Sequence, residues 1–197
     1  MNLPNKLTVS RIILTFVIIF LLLFPFNSIG ITIDDWFINE SISLNPIYVI
    51  AGVIFIIAAL TDYFDGKIAR KYNIVTDFGK LVDAIADKVL VNSTLIILSA
   101  LGEVPAIITV IIIVRDAITD SIKMLAASKG KVVAAIKTGK WKTAFLMTGI
   151  SITLFGNIPF VFLGWAVNKL LLWIAAVLAV ISAWEYYTMN KKLIDTK

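Results

Sequence analysis

Long apolar runs separated by short polar segments constrain the fold of this chain more than any other feature. Six runs are expected to form helices, over residues 7–26, 47–61, 78–101, 105–127, 141–155 and 165–187. Hydrophobic residues make up 59% of the chain and charged residues 16%, against roughly 45–50% and about 25% in soluble domains. The pattern predicts an all-α polytopic membrane protein, a bundle of six transmembrane helices that forms one domain over residues 1–197.

Basic residues are distributed unevenly between alternate connections of these helices. One side carries Lys6, the 67–80 segment, the 128–142 segment and the C-terminal tail, whereas Lys169 is the only Lys or Arg on the other side. The positive-inside rule makes the basic side cytoplasmic, so both termini are expected there. The net charge of +5 therefore reflects membrane topology. Nucleic-acid binding is not expected, because the basic residues do not follow one face.

Two of the connections are predicted to be irregular. Residues 27–45 are expected to form a loop with Trp36 and Phe37 at the membrane interface. Residues 128–142 are expected to form a basic loop on the cytoplasmic side.

Four aspartates cluster on the cytoplasmic side: Asp62, Asp65, Asp83 and Asp87. The second apolar run is short for a membrane span, so its helix is expected to continue through the first two aspartates. Spacings of three and four residues put each pair on one helical face, and two adjacent helix ends would aim all four carboxylates at one point. The chain has no Cys and no His, so metal binding and acid–base chemistry fall to carboxylates, which favour Mg²⁺, Mn²⁺ or Ca²⁺.

Three interpretations of these acids are open at this point. Divalent ions held by the carboxylates would neutralise a diphosphate and support attack at phosphorus. The aspartates could instead be solvated groups at helix ends, paired with neighbouring Lys and Arg side chains. An ion-coupled transporter also holds carboxylates within the membrane, but such proteins usually carry inverted repeats, and none is evident in this sequence.

A second polar feature lies at the start of the first helix. Asn5, Thr8 and Arg11 recur every three residues, near one helical face. A lone Arg at this position would extend its head group to the membrane interface. The three residues together predict a polar stripe that faces the interior of the bundle.

The segment that carries the aspartates also has a recognisable pattern. It reads DYFDGKIARKYNIVTDFGKLVDAIAD and matches D-x2-D-G-x2-A-R-x8-G-x3-D-x3-D at all eight fixed positions. With this motif and a six-helix layout, the chain resembles the CDP-alcohol phosphotransferase family. The resemblance implies a membrane enzyme, commonly a homodimer, in which an acceptor hydroxyl attacks the lipid-bearing phosphorus of a CDP-linked lipid and releases CMP.

The resemblance also implies roles for individual residues. The four aspartates would bind two Mg²⁺ or Mn²⁺ ions, and Asp87 would act as the general base. The positions implied to contact the nucleotide and its diphosphate are Asn5, Thr8, Gly66, Ala69, Arg70 and Gly79.

A second polar region, IVRDAITDSIK followed by GKWKTA, is similar to that of the phosphatidylglycerophosphate synthases within this family. Asp116 stands where those enzymes commonly have Glu, and Lys123 where Arg is expected. The similarity implies CDP-diacylglycerol as donor and glycerol 3-phosphate as acceptor. Such a small dianion needs several cations, and the expected phosphate-binding residues are Arg115, Lys123, Lys140 and Lys142. The acceptors of a cardiolipin synthase or of a phosphatidylinositol-phosphate synthase remain alternatives.

Overall fold

The protein is mostly helical. The computed structural model describes residues 3–39, 42–71, 77–131, 133–134 and 136–194. Within these ranges the backbone alone is described at residues 3–6, 38–39, 42, 62–71, 77–78, 80–81 and 192–194. The described residues form six α-helices: α1 (Leu3–Leu23), α2 (Pro46–Lys71), α3 (Asp77–Ala100), α4 (Ala106–Ser128), α5 (Lys137–Leu154) and α6 (Val167–Ile194). The predicted all-α class and the six helices are therefore confirmed for this part of the chain.

Several helix boundaries bear on the site. α2 continues through the first two aspartates to Lys71, as the shortness of its apolar run predicts. The predicted basic loop over 128–142 is wrong in its second half, because α5 begins at Lys137 and carries Lys140 and Lys142 on its first turns. α6 extends to Ile194, beyond the end of its apolar run, since intrahelical hydrogen bonds do not require apolar side chains.

The predicted loop over residues 27–45 is also wrong in part. It contains a short 3₁₀ helix (Phe26–Ile29) and an antiparallel hairpin of β1 (Trp36–Asn39) and β2 (Ile42–Leu44). Trp36 pairs with Leu44, and Phe37 with Ser43. Aromatic and β-branched residues at short spacing suit a strand pair. Both aromatic side chains are exposed.

The bundle consists of two groups of three helices. In one group α1 packs against α2 and α3, and in the other α6 packs against α4 and α5, while α2–α5 and α3–α4 contacts join the two groups. Glycine permits two of the close approaches. A Cβ at Gly52 of α2 would lie 3.0 Å from the Phe155 ring, and one at Gly149 of α5 would lie 2.9 Å from Leu172 of α6. Small residues let membrane helices approach closely in the same way.

Large apolar side chains are exposed on the outer faces of the helices, among them Phe16, Phe20, Val114, Val177 and Trp184. An extensive apolar surface of this kind marks contact with lipid or with another protein. Among the described residues one stretch, Val167–Lys191 of α6, is both long and apolar enough to cross a membrane. The apolar stretches Leu7–Leu23 and Pro46–Thr61 are shorter. The arrangement of six spans with cytoplasmic termini remains a prediction.

Candidate active site

The aspartate motif occupies the end of α2 and the beginning of α3. The backbone of α2 carries Asp62, Asp65, Gly66, Ala69 and Arg70, whose side chains lie outside the described part of the structure. The same is true of Asn5 in α1. Their predicted roles as metal and nucleotide ligands therefore stay predictions.

Arg11 connects α1 to the motif on α3. Its side chain is fully buried, and Nη1 donates a hydrogen bond to Oδ1 of Asp83 at 3.0 Å. Thr8, one helical turn earlier, is also buried. Thr8 and Arg11 therefore face the interior of the bundle, as the predicted polar stripe requires, and the Arg11 head group does not extend to the membrane interface. A guanidinium fixed in this way holds the Asp83 carboxylate in one orientation.

The described carboxylates of the motif have the chemistry of a site for a hard divalent cation. Asp83 and Asp87 lie one turn apart on α3, so both face the same side of the helix. Oxygen donors are the ligands that Mg²⁺, Mn²⁺ and Ca²⁺ prefer. No group of three or more acidic side chains close enough to hold a metal occurs among the described residues, and two of the four predicted ligands lie outside them.

A cavity of about 480 Å³ opens beside Asp87, between α3, α4, α5 and α6. This volume is within the usual range of small-molecule sites. All four predicted phosphate-binding residues line it together with Asp87: Arg115, Lys123, Lys140 and Lys142. They lie on two different helices, and the fold brings them to one place.

The cavity carries an excess of positive charge. The described part of its lining contains five cationic side chains and three acidic ones, namely Lys88, Arg115, Lys123, Lys140 and Lys142 against Asp87, Asp116 and Asp120. These described residues therefore carry an excess of two positive charges. A dianion matches that excess in charge.

Asp116 organises the buried cations. Its Oδ1 accepts hydrogen bonds from Nη1 of Arg115 and from Nζ of Lys142, both at 2.9 Å, and Lys142 lies 3.1 Å from Oδ2. The Lys142 side chain is only 4% exposed. A buried ammonium without a counter-charge would be costly, so Asp116 is what allows Lys142 to face the cavity.

Two side chains of α6, those of Ser182 and Tyr186, hold the guanidinium of Arg115. Nε donates to Oγ of Ser182 at 2.9 Å, and the Tyr186 ring lies 5.8 Å below the guanidinium carbon. The same ring lies 5.5 Å from Nζ of Lys123, within the range of cation–π attraction. A Cβ at Gly139 would lie 3.1 Å from Nη2 of Arg115. Glycine at this position therefore leaves the space that Arg115 occupies.

Sequence reasoning singled out the segment of Asp116 and Asp120 but gave these two residues no role. It gave none to Lys88, Asn92 and Tyr186 either, although all five line the cavity. Lys88 of α3 and Asp120 of α4 form an ion pair across the cavity wall. The sequence did contain a signal for four of them, namely polar side chains at helical spacing within apolar runs. Asp116 and Asp120 are four residues apart, as are Lys88 and Asn92, so each pair lies on one helical face. No such signal existed for Tyr186, which lies on a helix about 70 residues from Asp116 in sequence.

Comparison with known proteins adds independent information. A family model described as CDP-alcohol phosphatidyltransferase matches residues 1–181. The CDP-diacylglycerol–glycerol-3-phosphate 3-phosphatidyltransferase of Bacillus subtilis (strain 168) is 39% identical over 196 residues, which cover 99% of this chain and 98% of the relative. A protein of the same name from Rickettsia bellii is 34% identical over 195 residues, covering 97% and 96% of the two chains.

A solved structure is similar in fold. The crystal structure of Mycobacterium tuberculosis phosphatidylinositol phosphate synthase in its apo form superposes with a TM-score of 0.60, covering 98% of this chain and 93% of that chain. The two sequences are 19% identical. At so low a sequence identity the likeness concerns the arrangement of the helices and carries no information on the acceptor.

Proposed function

Because this chain belongs to the CDP-alcohol phosphatidyltransferase family, we propose that it transfers the phosphatidyl group of CDP-diacylglycerol to glycerol 3-phosphate. The products are phosphatidylglycerophosphate and CMP, so the protein serves phospholipid biosynthesis. The single observation that carries the acceptor is the cavity beside Asp87, whose described lining residues have an excess of two positive charges. The names of relatives that are 34–39% identical over nearly the whole chain support the same reaction.

The acceptor phosphate binds to the cations of α4 and α5: Arg115, Lys123, Lys140 and Lys142. Among the described residues, no carboxylate pairs with Lys123 or Lys140, so their charges are available to a ligand. Arg115 and Lys142 are held by Asp116, which fixes their direction toward the cavity. Pre-oriented cations of this kind bind phosphate at a lower entropic cost than mobile ones do.

The reacting hydroxyl of glycerol 3-phosphate lies next to Asp87, which also lines the cavity. Asp87 accepts the proton of that hydroxyl while the hydroxyl oxygen of glycerol 3-phosphate forms a bond to the lipid-bearing phosphorus. The bond from this phosphorus to the oxygen shared with CMP breaks, and CMP leaves with that oxygen. A carboxylate is the side chain that remains for this role in a chain without His or Cys.

Asp62, Asp65, Asp83 and Asp87 would hold two Mg²⁺ or Mn²⁺ ions. Bound there, the ions would supply neutralisation of the diphosphate charge. Arg11 supports this arrangement by orienting Asp83. The nucleotide and its diphosphate contact α1 and the glycine-containing parts of the motif, at Asn5, Thr8, Gly66, Ala69, Arg70 and Gly79.

The same proposal includes a membrane topology. All six helices cross the cell membrane, with both termini and the active site on the cytoplasmic side, and the protein forms a homodimer. Exposed apolar side chains on the outer helix faces support contact with membrane lipids. The basic segments near the site support its cytoplasmic location.

The test is CMP release by purified protein in detergent, with CDP-diacylglycerol and Mg²⁺ or Mn²⁺, and with each candidate acceptor in turn. We expect release with glycerol 3-phosphate, and none with inositol phosphate or phosphatidylglycerol. Release driven by either of those acceptors, but not by glycerol 3-phosphate, would refute the assignment of the acceptor. Asp87→Asn should abolish release while the protein still elutes as a folded species in size-exclusion chromatography. Turnover by that variant would remove Asp87 as the base.

A further inference from the structure

The cavity contains a buried side-chain oxygen that has no hydrogen-bond partner among the described residues. Oδ1 of Asn92 is buried, and no group among the described residues donates a hydrogen bond to it. The same side chain lines the cavity beside Asp87. Buried side-chain amides nearly always have a hydrogen-bond partner, so an orphaned one within a ligand cavity indicates a partner that comes from the ligand.

The position of Asn92 restricts what that partner can be. Asn92 lies five residues beyond Asp87 on α3, or about 7.5 Å along the helix axis. The described lining of the cavity also contains apolar side chains, among them Val91, Leu146 and Met147. Asn92 is the described side chain that brings an amide into this lining. A half-turn about its terminal torsion exchanges its two ends, so it can present either a donor or an acceptor to a ligand.

The charged groups of the cavity already match two parts of the acceptor. Lys123 and Lys140 have no carboxylate partner among the described residues, which suits them to the phosphate. Asp87 suits the hydroxyl that attacks. Glycerol 3-phosphate has one more polar group, the hydroxyl on its middle carbon, and a side-chain amide can accept a hydrogen bond from this hydroxyl or donate one to it.

We propose that Asn92 is a specificity-determining residue whose amide hydrogen-bonds the middle hydroxyl of glycerol 3-phosphate. This inference rests on the proposed function. It follows from the orphaned buried amide oxygen together with the position of Asn92 in the cavity that holds Asp87 and the unpaired cations. A site that binds a hydroxyl discriminates against the analogue that lacks it, because its own polar group is then left unpaired.

The experiment compares two acceptors that differ in that hydroxyl alone, glycerol 3-phosphate and 3-hydroxypropyl phosphate. Both have the attacking hydroxyl and the phosphate. Wild-type protein should prefer glycerol 3-phosphate in kcat/KM by about tenfold or more, which corresponds to the loss of one hydrogen bond. Asn92→Leu, which is similar in volume, and Asn92→Ala should each lower kcat/KM for glycerol 3-phosphate about tenfold and reduce the preference to within about twofold.

Ser93→Ala is the matched control. Ser93 is the next residue of α3, bonds to the carbonyl of Val89 in its own helix and does not line the cavity. The preference of this variant should equal that of the wild type. An equal loss for both acceptors in the Asn92 variants, or an unchanged preference, would overturn the proposal, because a structural role affects both acceptors alike. Wild-type protein that releases no CMP with glycerol 3-phosphate would instead overturn the proposed function, and this inference with it.

Discussion

The ion pair between Asp116 and Lys142 is expected to stabilise the bundle strongly, and its contribution can be worked from the structure. Lys142 Nζ lies 2.9 and 3.1 Å from the two carboxylate oxygens, and the side chains are 4% and 15% exposed. Two unit charges about 3 Å apart attract by about 5 kcal/mol at an effective dielectric constant of roughly 20. Removal of one member of a buried pair typically costs about 3–5 kcal/mol. Asp116→Asn keeps one acceptor oxygen, so we expect it to lower the free energy of unfolding by about 3 kcal/mol.

A double-mutant cycle separates this pair from other effects of the substitutions. Asp116→Asn, Lys142→Met and the double variant should give a coupling energy of about 2 kcal/mol, within the range for contacting residues. Lys88 and Asp120 form the matched comparison pair, since they also join two helices in the cavity wall but are 39% and 32% exposed. Solvent screening should hold the coupling energy of that pair to about 1 kcal/mol or less.

Unfolding by sodium dodecyl sulfate in mixed micelles, followed by the fluorescence of the five tryptophans, measures all of these free energies. The coupling energy of the buried pair should exceed that of the exposed pair. A coupling energy for Asp116 and Lys142 that is no larger than that for Lys88 and Asp120 would refute the reasoning from burial. It would show that Lys142 is held mainly by the packing of its aliphatic stem.

Three further predictions concern activity. Chelation of divalent ions with EDTA should abolish CMP release, and added Mg²⁺ or Mn²⁺ should restore it; release that persists in EDTA would contradict a metal site at the aspartates. Arg11→Met should raise the metal concentration that gives half-maximal rate by about tenfold, because Asp83 loses the group that orients it; an unchanged metal dependence would exclude this role. Gly139→Ala should raise KM for glycerol 3-phosphate by about threefold without lowering kcat, since the new Cβ displaces the Arg115 guanidinium. Gly149→Ala is the control, because its new Cβ would meet Leu172 of α6, which is not among the described cavity residues. It should lower thermal stability and leave KM unchanged. Equal KM values for the two glycine variants would argue against the effect at Arg115.

Hydropathy predicted the helices of this fold because backbone N–H and C=O groups in an apolar environment must form hydrogen bonds within the protein. A single long apolar segment achieves this by forming an α-helix. The hairpin of Trp36–Asn39 and Ile42–Leu44 escaped prediction because each strand is too short for a period-two pattern to stand out. The start of α5 was misplaced because Lys137, Lys140 and Lys142 look like a solvated loop in sequence. The structure shows Lys142 buried instead, since Asp116, 26 residues away, compensates its charge.

The candidate site was predictable to different degrees. The aspartate motif has fixed spacings within 26 residues, so sequence alone was enough to single it out. The cavity beside Asp87 has no such local pattern, because its walls come from four helices that meet only in the folded chain. Asn92 is the clearest case. An asparagine within an apolar run is a visible oddity, but the unsatisfied amide oxygen that gives it meaning exists only in three dimensions.

The division of the bundle into two three-helix groups has consequences for how such a protein can diverge in evolution. The motif lies on α2 and α3, whereas most of the cavity wall belongs to α4, α5 and α6, which pack mainly among themselves. If the proposed function holds, substitutions in that second group can exchange one acceptor alcohol for another while the half that carries the aspartate motif keeps its shape. A gene duplicate could acquire a new lipid product by drift in three helices. Helix α3 would constrain how far that drift can go, because its Asp87 belongs to the motif and also lines the cavity, together with Asn92.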